Sequence, residues 1–581
     1  MSPLSAEVSP IAGRAGGSRQ RWSRAVWITS WVLAALLVLP ALRVGPVFDD
    51  WFQAFDTRDA LASAWQRWFG LYDFFHADQV AQGRETGVLP WWTDDRLSIS
   101  FFRPLSSLLL AFDHRVLDGG GFWSHLHAAL WFGGVVWVAA RVQRLLFGER
   151  DARWGSVLFA LSSVHVLPLA FVASIYAHVT ALFALLSFEC LIRALRGTES
   201  DGRRLRMWSA LWFLIALAGG ESALILLPIA AALLWAERGP VRALIGLAPH
   251  LIATSLYLAL YFSLDMGTHH SGAYLQPGSL AFFRELLPRF LVLAGGLLAA
   301  FPPDLWLLGA QPVQVGVGVL GLALAALALR AVLRANLDAT AGRRLLALCA
   351  GALVALLPVT SGVPGGRLLV LPSVIACALF GMAGRRAVHA WPTQKGRALL
   401  LGAWVALLGV GLHPLFRVLV PLDMARVGKD VPAAARAIAG RCKGQPVLGI
   451  GVPDSNAAYL NAILISMPEN ERPQALHLIS MAPGRHHLQQ TAPDRYELTV
   501  DGAFLALPWA RIYRDTPLVV PVERTLRGVR LELLETSVER TRLALWVSAD
   551  ALACWVTLER GELVAIDPRR GSEWVPTARG R

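Results

Sequence analysis

From Val26 to Val420 the chain is a succession of apolar runs, each about 17–25 residues long, the length that crosses the hydrocarbon core of a bilayer. A backbone in lipid must satisfy its own hydrogen bonds, so runs of this kind are read as helices. Spans are expected near 25–43, 122–147, 153–173, 175–196, 206–219, 221–236, 241–263, 309–333, 343–360, 367–384 and 397–420. Only 16% of residues are charged, against about 25% in soluble domains. Beyond Asp423 the runs shorten and polar residues interleave. The expected fold is therefore an all-α polytopic membrane body of about eleven transmembrane helices, followed by a small α/β or mostly-β soluble domain.

Charge placement orients this body. The formal net charge is +13, which in a soluble protein would point to nucleic acid. Here the arginines sit in short turns between apolar runs: Arg150 and Arg153; Arg193, Arg196, Arg203, Arg204 and Arg206; Arg238 and Arg242; Arg330, Arg334, Arg343 and Arg344; Arg385, Arg386, Lys395 and Arg397. With Arg14, Arg19, Arg21 and Arg24 ahead of the first span, all fall on one side, the pattern of cytoplasmic loops. No nucleic-acid partner is expected. The N-terminus reads as an uncleaved signal anchor. The segment 281–301 is apolar enough to cross, but crossing would put Arg330–Arg344 on the wrong side. Arg284, Glu285, Pro288 and Arg289 also make a poor span centre, so an interfacial or re-entrant helix is expected.

The domain plan is a cytoplasmic segment over 1–24, a membrane body over 25–420 with a long external loop at 44–121, and a soluble C-terminal domain over 421–581, external or periplasmic. The expected location is a cell membrane of the bacterial inner-membrane kind, with the N-terminus cytoplasmic and the C-terminus external. Cys190, Cys349 and Cys377 lie in apolar runs; Cys442 and Cys554 lie in the tail and can pair if it faces an oxidising compartment. In the tail, YELTVDGAFLAL, VRLELLETSV and LALWVSAD alternate as strands do.

The 44–121 loop holds eleven acidic residues and six arginines, with aromatics at high density. Loops this long are uncommon without function, and the aromatics suggest helices lying in the membrane interface. Asp49 and Asp50 follow the first span directly, in GPVFDDWFQAF. One can serve as general base toward a hydroxyl, both can hold a divalent cation, or they can be a solvated loop end. Asp94 and Asp95, in LPWWTDDR, are a second acidic pair or a surface turn. Arg103, before Pro104, can hold a phosphate bidentately or reach to headgroups. His125 and His127 sit at the loop end of the second span. At i, i+2 they do not share a helical face, so they do not hold one metal. His165 and His178 are in SSVHVLPLAFVASIYAH, where interhelical hydrogen bonds are the commoner role. Glu221, in LAGGESALILLP, is an ionisable residue between two short spans, which marks function in a membrane. Arg367, in VTSGVPGGRLLVLP, opposes the positive-inside trend, as binding of a lipid-linked phosphate or a headgroup would explain.

Three of these stretches carry a resemblance. The Asp49–Asp50 pair, FFRPLSSLLLAFDHRVLDGGGFWSHLHAALW and GGESALILLP, supported by GGRLLVLPSV, are similar in order and membrane side to polytopic glycosyltransferases of the C superfamily (GT-C). The likeness is to the branch of protein mannosyltransferases and TPR-bearing mannosyltransferases, over roughly residues 25–385. The chain departs from that pattern in three places: Gly220 stands where a Lys precedes the Glu, no TPR array follows, and no acidic residue follows His165. The resemblance implies transfer of a sugar from a polyprenyl-phosphate carrier to a protein or glycan acceptor on the non-cytoplasmic side. Asp49 or Asp50 would be the base. Asp94, Asp95, Arg103, His125, His165, Glu221 and Arg367 would bind substrate, with Arg103 and Arg367 on the phosphate. The partners would be the lipid-linked donor, membrane lipid and the acceptor. No cofactor is required by any motif; a divalent cation is the one candidate. A transporter or flippase of lipid-linked substrates, or a non-catalytic membrane scaffold, are the competing readings.

Overall fold

The computed structural model describes residues 28–57, 63–197, 199–334, 339–390, 395–452, 456–547, 553–559, 562–568 and 572–576. The expectations for 1–24 lie outside the described residues.

Among the described residues, seven helices are long and apolar enough to cross a membrane: Phe122–Phe147, Val172–Arg196, Pro240–Ser263, Gln311–Leu333, Ala339–Val359, Gly366–Val388 and Ala398–Arg441. Ile28–Arg43 is a shorter apolar helix, and Glu149–Leu161, Glu199–Gly219 and Leu226–Arg238 are shorter or more charged helices of the same body. The helical membrane body is thus as expected, with seven helices of spanning length against the roughly eleven runs read from the sequence. Leu130, Ile252, Leu256 and Val410 point outward from the body and are exposed. Apolar exposure on this scale is that of a lipid-facing surface.

Two faces alternate along the chain. On one, arginines tie the short turns together: Arg385 to Asp151 at 2.6 Å, Arg344 to Glu237, and Arg238 to the Leu195 carbonyl at 3.3 Å. On the other lies the long loop, where Asp50 accepts from the Ala173 N–H and Arg103 pairs with Glu221. The segment that carries the Leu280–Ala299 helix leaves this loop face and rejoins it. Just before it, the Leu275 N–H donates to the Ser361 carbonyl at 2.7 Å; just after it, Asp304 accepts from the Gly366 N–H at 3.0 Å. Residues 361 and 366 belong to one short turn, so the chain returns after the helix to the face it left. Its Arg289, buried, donates to the carbonyls of Thr360, Gly362 and Ala273, which is how a guanidinium is accommodated there.

The last span does not end at 420. It continues as one helix, His413–Arg441, through Pro421 and Pro432 into the tail, so the Ala-rich segment VPAAARAIAGR extends a membrane helix. The tail has a four-stranded sheet in which Pro446–Gly449 pairs in parallel with Ala475–Leu478 and Cys554–Glu559. Beside it is a six-stranded antiparallel sheet containing Arg495–Asp501, Val529–Thr536 and Arg540–Val547. Cys442 and Cys554 form a disulfide joining the end of the long helix to that first sheet.

The aromatics of the long loop do not all lie in the membrane interface as expected. Trp91 and Trp92 are each 1% exposed and are inserted into the tail's core beside Phe504. Their indole N–H groups donate to the carbonyls of Ile479 (2.9 Å) and Ala510 (3.1 Å). An indole needs both apolar cover and one acceptor, and a protein domain supplies them as well as a bilayer surface does. At Gly87, in the left-handed region with φ +80°, any Cβ would overlap the Leu476 carbonyl, so loop and tail meet backbone to backbone.

Candidate functional site

The chain leaves the first span through Phe48, a non-glycine residue at φ +51°, a conformation that side chains other than glycine rarely adopt. The helix Asp49–Asp56 starts immediately after it. Asp50 is fully buried. One carboxylate oxygen accepts from the Val47 N–H (3.0 Å) and the other from the Ala173 N–H (2.8 Å). Asp50 therefore ties the helix start to the body. One residue around a helix is about 100° of rotation, and this turns Asp49 the other way, into a cavity. Their carboxylates do not present as a pair.

The cavity holds about 490 Å³, within the roughly 300–1,000 Å³ usual for small-ligand sites. It lies between body and tail on the loop face. Its lining is mostly apolar, with Asp49, Asp304 and Arg367 from the body and Tyr459, Trp509 and Tyr513 from the tail. Tyr459 donates to Asp49 Oδ1 at 3.1 Å. The Asp304 carboxylate is fixed by the Gly366 N–H, in the turn that carries Arg367. The Arg367 Nε is buried without a hydrogen-bond partner among the described residues. Its charge is felt by Asp304, Asp49 and Tyr274 without an ion-pair contact.

Burial raises the Asp49 carboxyl above the usual carboxylate range, against the Tyr459 hydrogen bond and the charges of Arg367 and Arg103, which lower it. Burial likewise raises Asp304, against Arg367 and the Gly366 N–H. A carboxylate made more basic and a guanidinium whose Nε has no hydrogen-bond partner among the described residues, facing one mostly apolar space, are equipped to take a proton and to hold an anion.

Of the residues singled out in the sequence, Asp49 and Arg367 line the cavity. Arg103 and Glu221 are engaged with each other behind its wall, Arg103 Nε to Glu221 Oε2 at 2.9 Å with a second contact alongside. The guanidinium is stacked within 3.8 Å of the Tyr176 ring and 4.5 Å of Phe101. His125 sits between the carbonyl oxygens of Leu169 (2.8 Å) and Gly45 (3.3 Å). His165 lies between the Phe159 carbonyl and His178. Asp94 faces Arg96 and Arg514, and Asp95 bridges Arg84 and Arg524, all at the seam between loop and tail. Asp94, His270 and Asp515 also bring ligand atoms within 4.8 Å of one another, with Arg96 and Arg514 already neutralising Asp94.

Sequence reasoning missed Asp304, Tyr459, Trp509 and Tyr513. Asp304, in AAFPPDLW, carried a readable signal: an acidic residue in a loop-face turn, as Asp49 is. Tyr459, in AAYLNAILISM, carried none.

Fold and cavity together define a polytopic membrane protein whose ionisable site is lined in part by the domain that follows its last membrane helix. No protein-family model and no curated protein matches the chain. Similar solved structures include ArnT from Cupriavidus metallidurans in the apo state, at 14% identity over 76% of this chain and 85% of that one, TM-score 0.41. The same protein bound to undecaprenyl phosphate matches at 14% over 89% and 97%, TM-score 0.39. The archaeal oligosaccharyltransferase AglB from Archaeoglobus fulgidus, in complex with an inhibitory peptide and a dolichol-phosphate, matches at 12% over 78% and 65%, TM-score 0.42. At these identities and TM-scores the likeness assigns no family.

Proposed function

We propose that the protein is a membrane glycosyltransferase that moves a sugar from a polyprenyl-phosphate carrier to a hydroxyl of a protein or glycan acceptor on the non-cytoplasmic side. The observation that carries this reading is the joint presence, in one mostly apolar cavity at the loop face of the body, of Asp49 and of Arg367, whose Nε has no hydrogen-bond partner among the described residues. The apolar lining suits a prenyl chain, and the guanidinium suits its phosphate. Asp49 takes the proton of the acceptor hydroxyl as its oxygen attacks the anomeric carbon. The bond from that carbon to the phosphate oxygen breaks, and its electron pair leaves with the polyprenyl phosphate. The leaving group is already an anion, so the protein's contribution is positioning and charge stabilisation.

The test is release of polyprenyl phosphate from undecaprenyl- and dolichyl-phosphate hexoses by the purified full-length protein in nanodiscs, with and without a chelator. Turnover by wild type, lost in Asp49→Asn, is the expected result. Unchanged turnover in Asp49→Asn, or no turnover and no binding of either donor by wild type, overturns the reading. Loss of turnover on chelation alone assigns a divalent cation to the site.

A further inference from the structure

The C-terminal domain reaches the Asp49 carboxylate with a single polar group. The phenol of Tyr459, from the helix Ala457–Ile465, donates to Asp49 Oδ1 at 3.1 Å. Its ring is held by two aromatics near Asp49, with centroids 5.7 Å from Phe48, the residue before the helix, and 5.8 Å from Phe52 on it. Phe48 in turn packs edge-on against Phe171 of the body. A ring gripped on both sides has little rotational freedom, so its hydroxyl is delivered to one place. No other side chain among the described residues hydrogen-bonds Asp49.

We propose, on the reading of Asp49 as base, that Tyr459 is a positioning residue for the Asp49 carboxylate, so that the site is complete only when the tail is docked. The bond fixes one carboxylate oxygen and leaves Oδ2 for the acceptor hydroxyl. It also favours the charged form of Asp49, as any donor to a carboxylate does. Other charged or titratable groups around Asp49 or lining its cavity are Arg367 and Arg103, its neighbour Asp50, Asp304, Asp423 of the last membrane helix, Tyr274 from the segment before the Leu280–Ala299 helix, and Tyr513 from the tail. Tyr459→Phe leaves all of these in place.

The experiment is an infrared titration of the full-length protein in nanodiscs, the Asp49 carboxyl band being identified by its loss in Asp49→Asn. Tyr459→Phe removes one oxygen and keeps the ring in its clamp. The expected result is an upward shift of the Asp49 midpoint by about one pH unit, the scale of one hydrogen bond to a charged oxygen. Phe52→Leu, which loosens the clamp and keeps the hydroxyl, is expected to shift it in the same direction by less. Donor turnover by Tyr459→Phe should fall at low pH and recover toward wild type as pH rises, whereas a merely structural role lowers turnover at every pH. A midpoint unmoved in both variants overturns the proposal. The titration needs no donor, so the two readings fail separately: Asp49→Asn retaining turnover sinks the base, and an unmoved band sinks the positioning.

Discussion

Arg103 and Glu221, 118 positions apart, meet in a two-pronged ion pair on the loop face, its guanidinium stacked on Tyr176, Phe101 and Tyr72. The pair joins the long loop to the tip between two short spans and stands behind the cavity holding Asp49 and Arg367. Removing one partner leaves the other charge uncompensated. Arg103→Ala should therefore cost stability toward the low end of roughly 3–5 kcal/mol, because the Glu221 side chain is 33% exposed. A Tm within error of wild type for the purified variant would show the pair to be idle.

The two adjacent aspartates should separate. Asp49→Asn is expected to leave folding intact and to lower turnover by about 10²–10⁴, the usual worth of a general base. Asp50→Asn offers one acceptor oxygen where two N–H groups now bind. It should lower stability by about 1–3 kcal/mol, the cost of a buried donor left unmade. Thermal unfolding beside donor turnover, measured on both variants, checks the split.

Turnover should rise with pH through a midpoint above the ordinary carboxylate range. The base works deprotonated, and burial raises the Asp49 carboxyl, so the acid limb is displaced upward. A kcat/KM profile flat from about pH 4 upward, the model-peptide value of a free carboxyl, would contradict it.

Arg367→Ala should raise KM for the polyprenyl-phosphate donor more than it lowers kcat, with Arg367→Lys restoring only part. A planar fork holds phosphate at two points, where an ammonium is a point charge. Equal KM values in all three proteins would remove Arg367 from the donor site.

Trp91→Ala or Trp92→Ala should loosen the tail from the body. Truncating a buried tryptophan costs roughly 3–5 kcal/mol, and the carbonyl of Ile479 or Ala510 also loses its indole donor. Faster hydrogen exchange in Ala457–Ile465, with loss of turnover, is the expected outcome. Unchanged exchange there would mean that the long helix and the disulfide hold the tail alone.

Local rules were enough for the helical body. Apolar runs of bilayer length, and arginines gathered in alternate turns, dictate passages and faces because every backbone group in lipid must bond within its own helix. The same runs exposed Asp49 and Arg367 as charges at span ends. What depends on contacts between distant segments was not legible. Asp49 and Asp50 are neighbours in identical surroundings, and only the backbone amides of Val47 and Ala173 decide which is tied inward and which faces the cavity. The tryptophans of the long loop read as membrane-surface anchors because an indole seeks the same apolar-and-polar boundary anywhere, and only the docked tail shows which boundary they meet. Tyr459 lies 410 positions from Asp49 in an unremarkable helix. No periodicity encodes that meeting; it arises from where the final helix, running unbroken out of the membrane, sets the tail down.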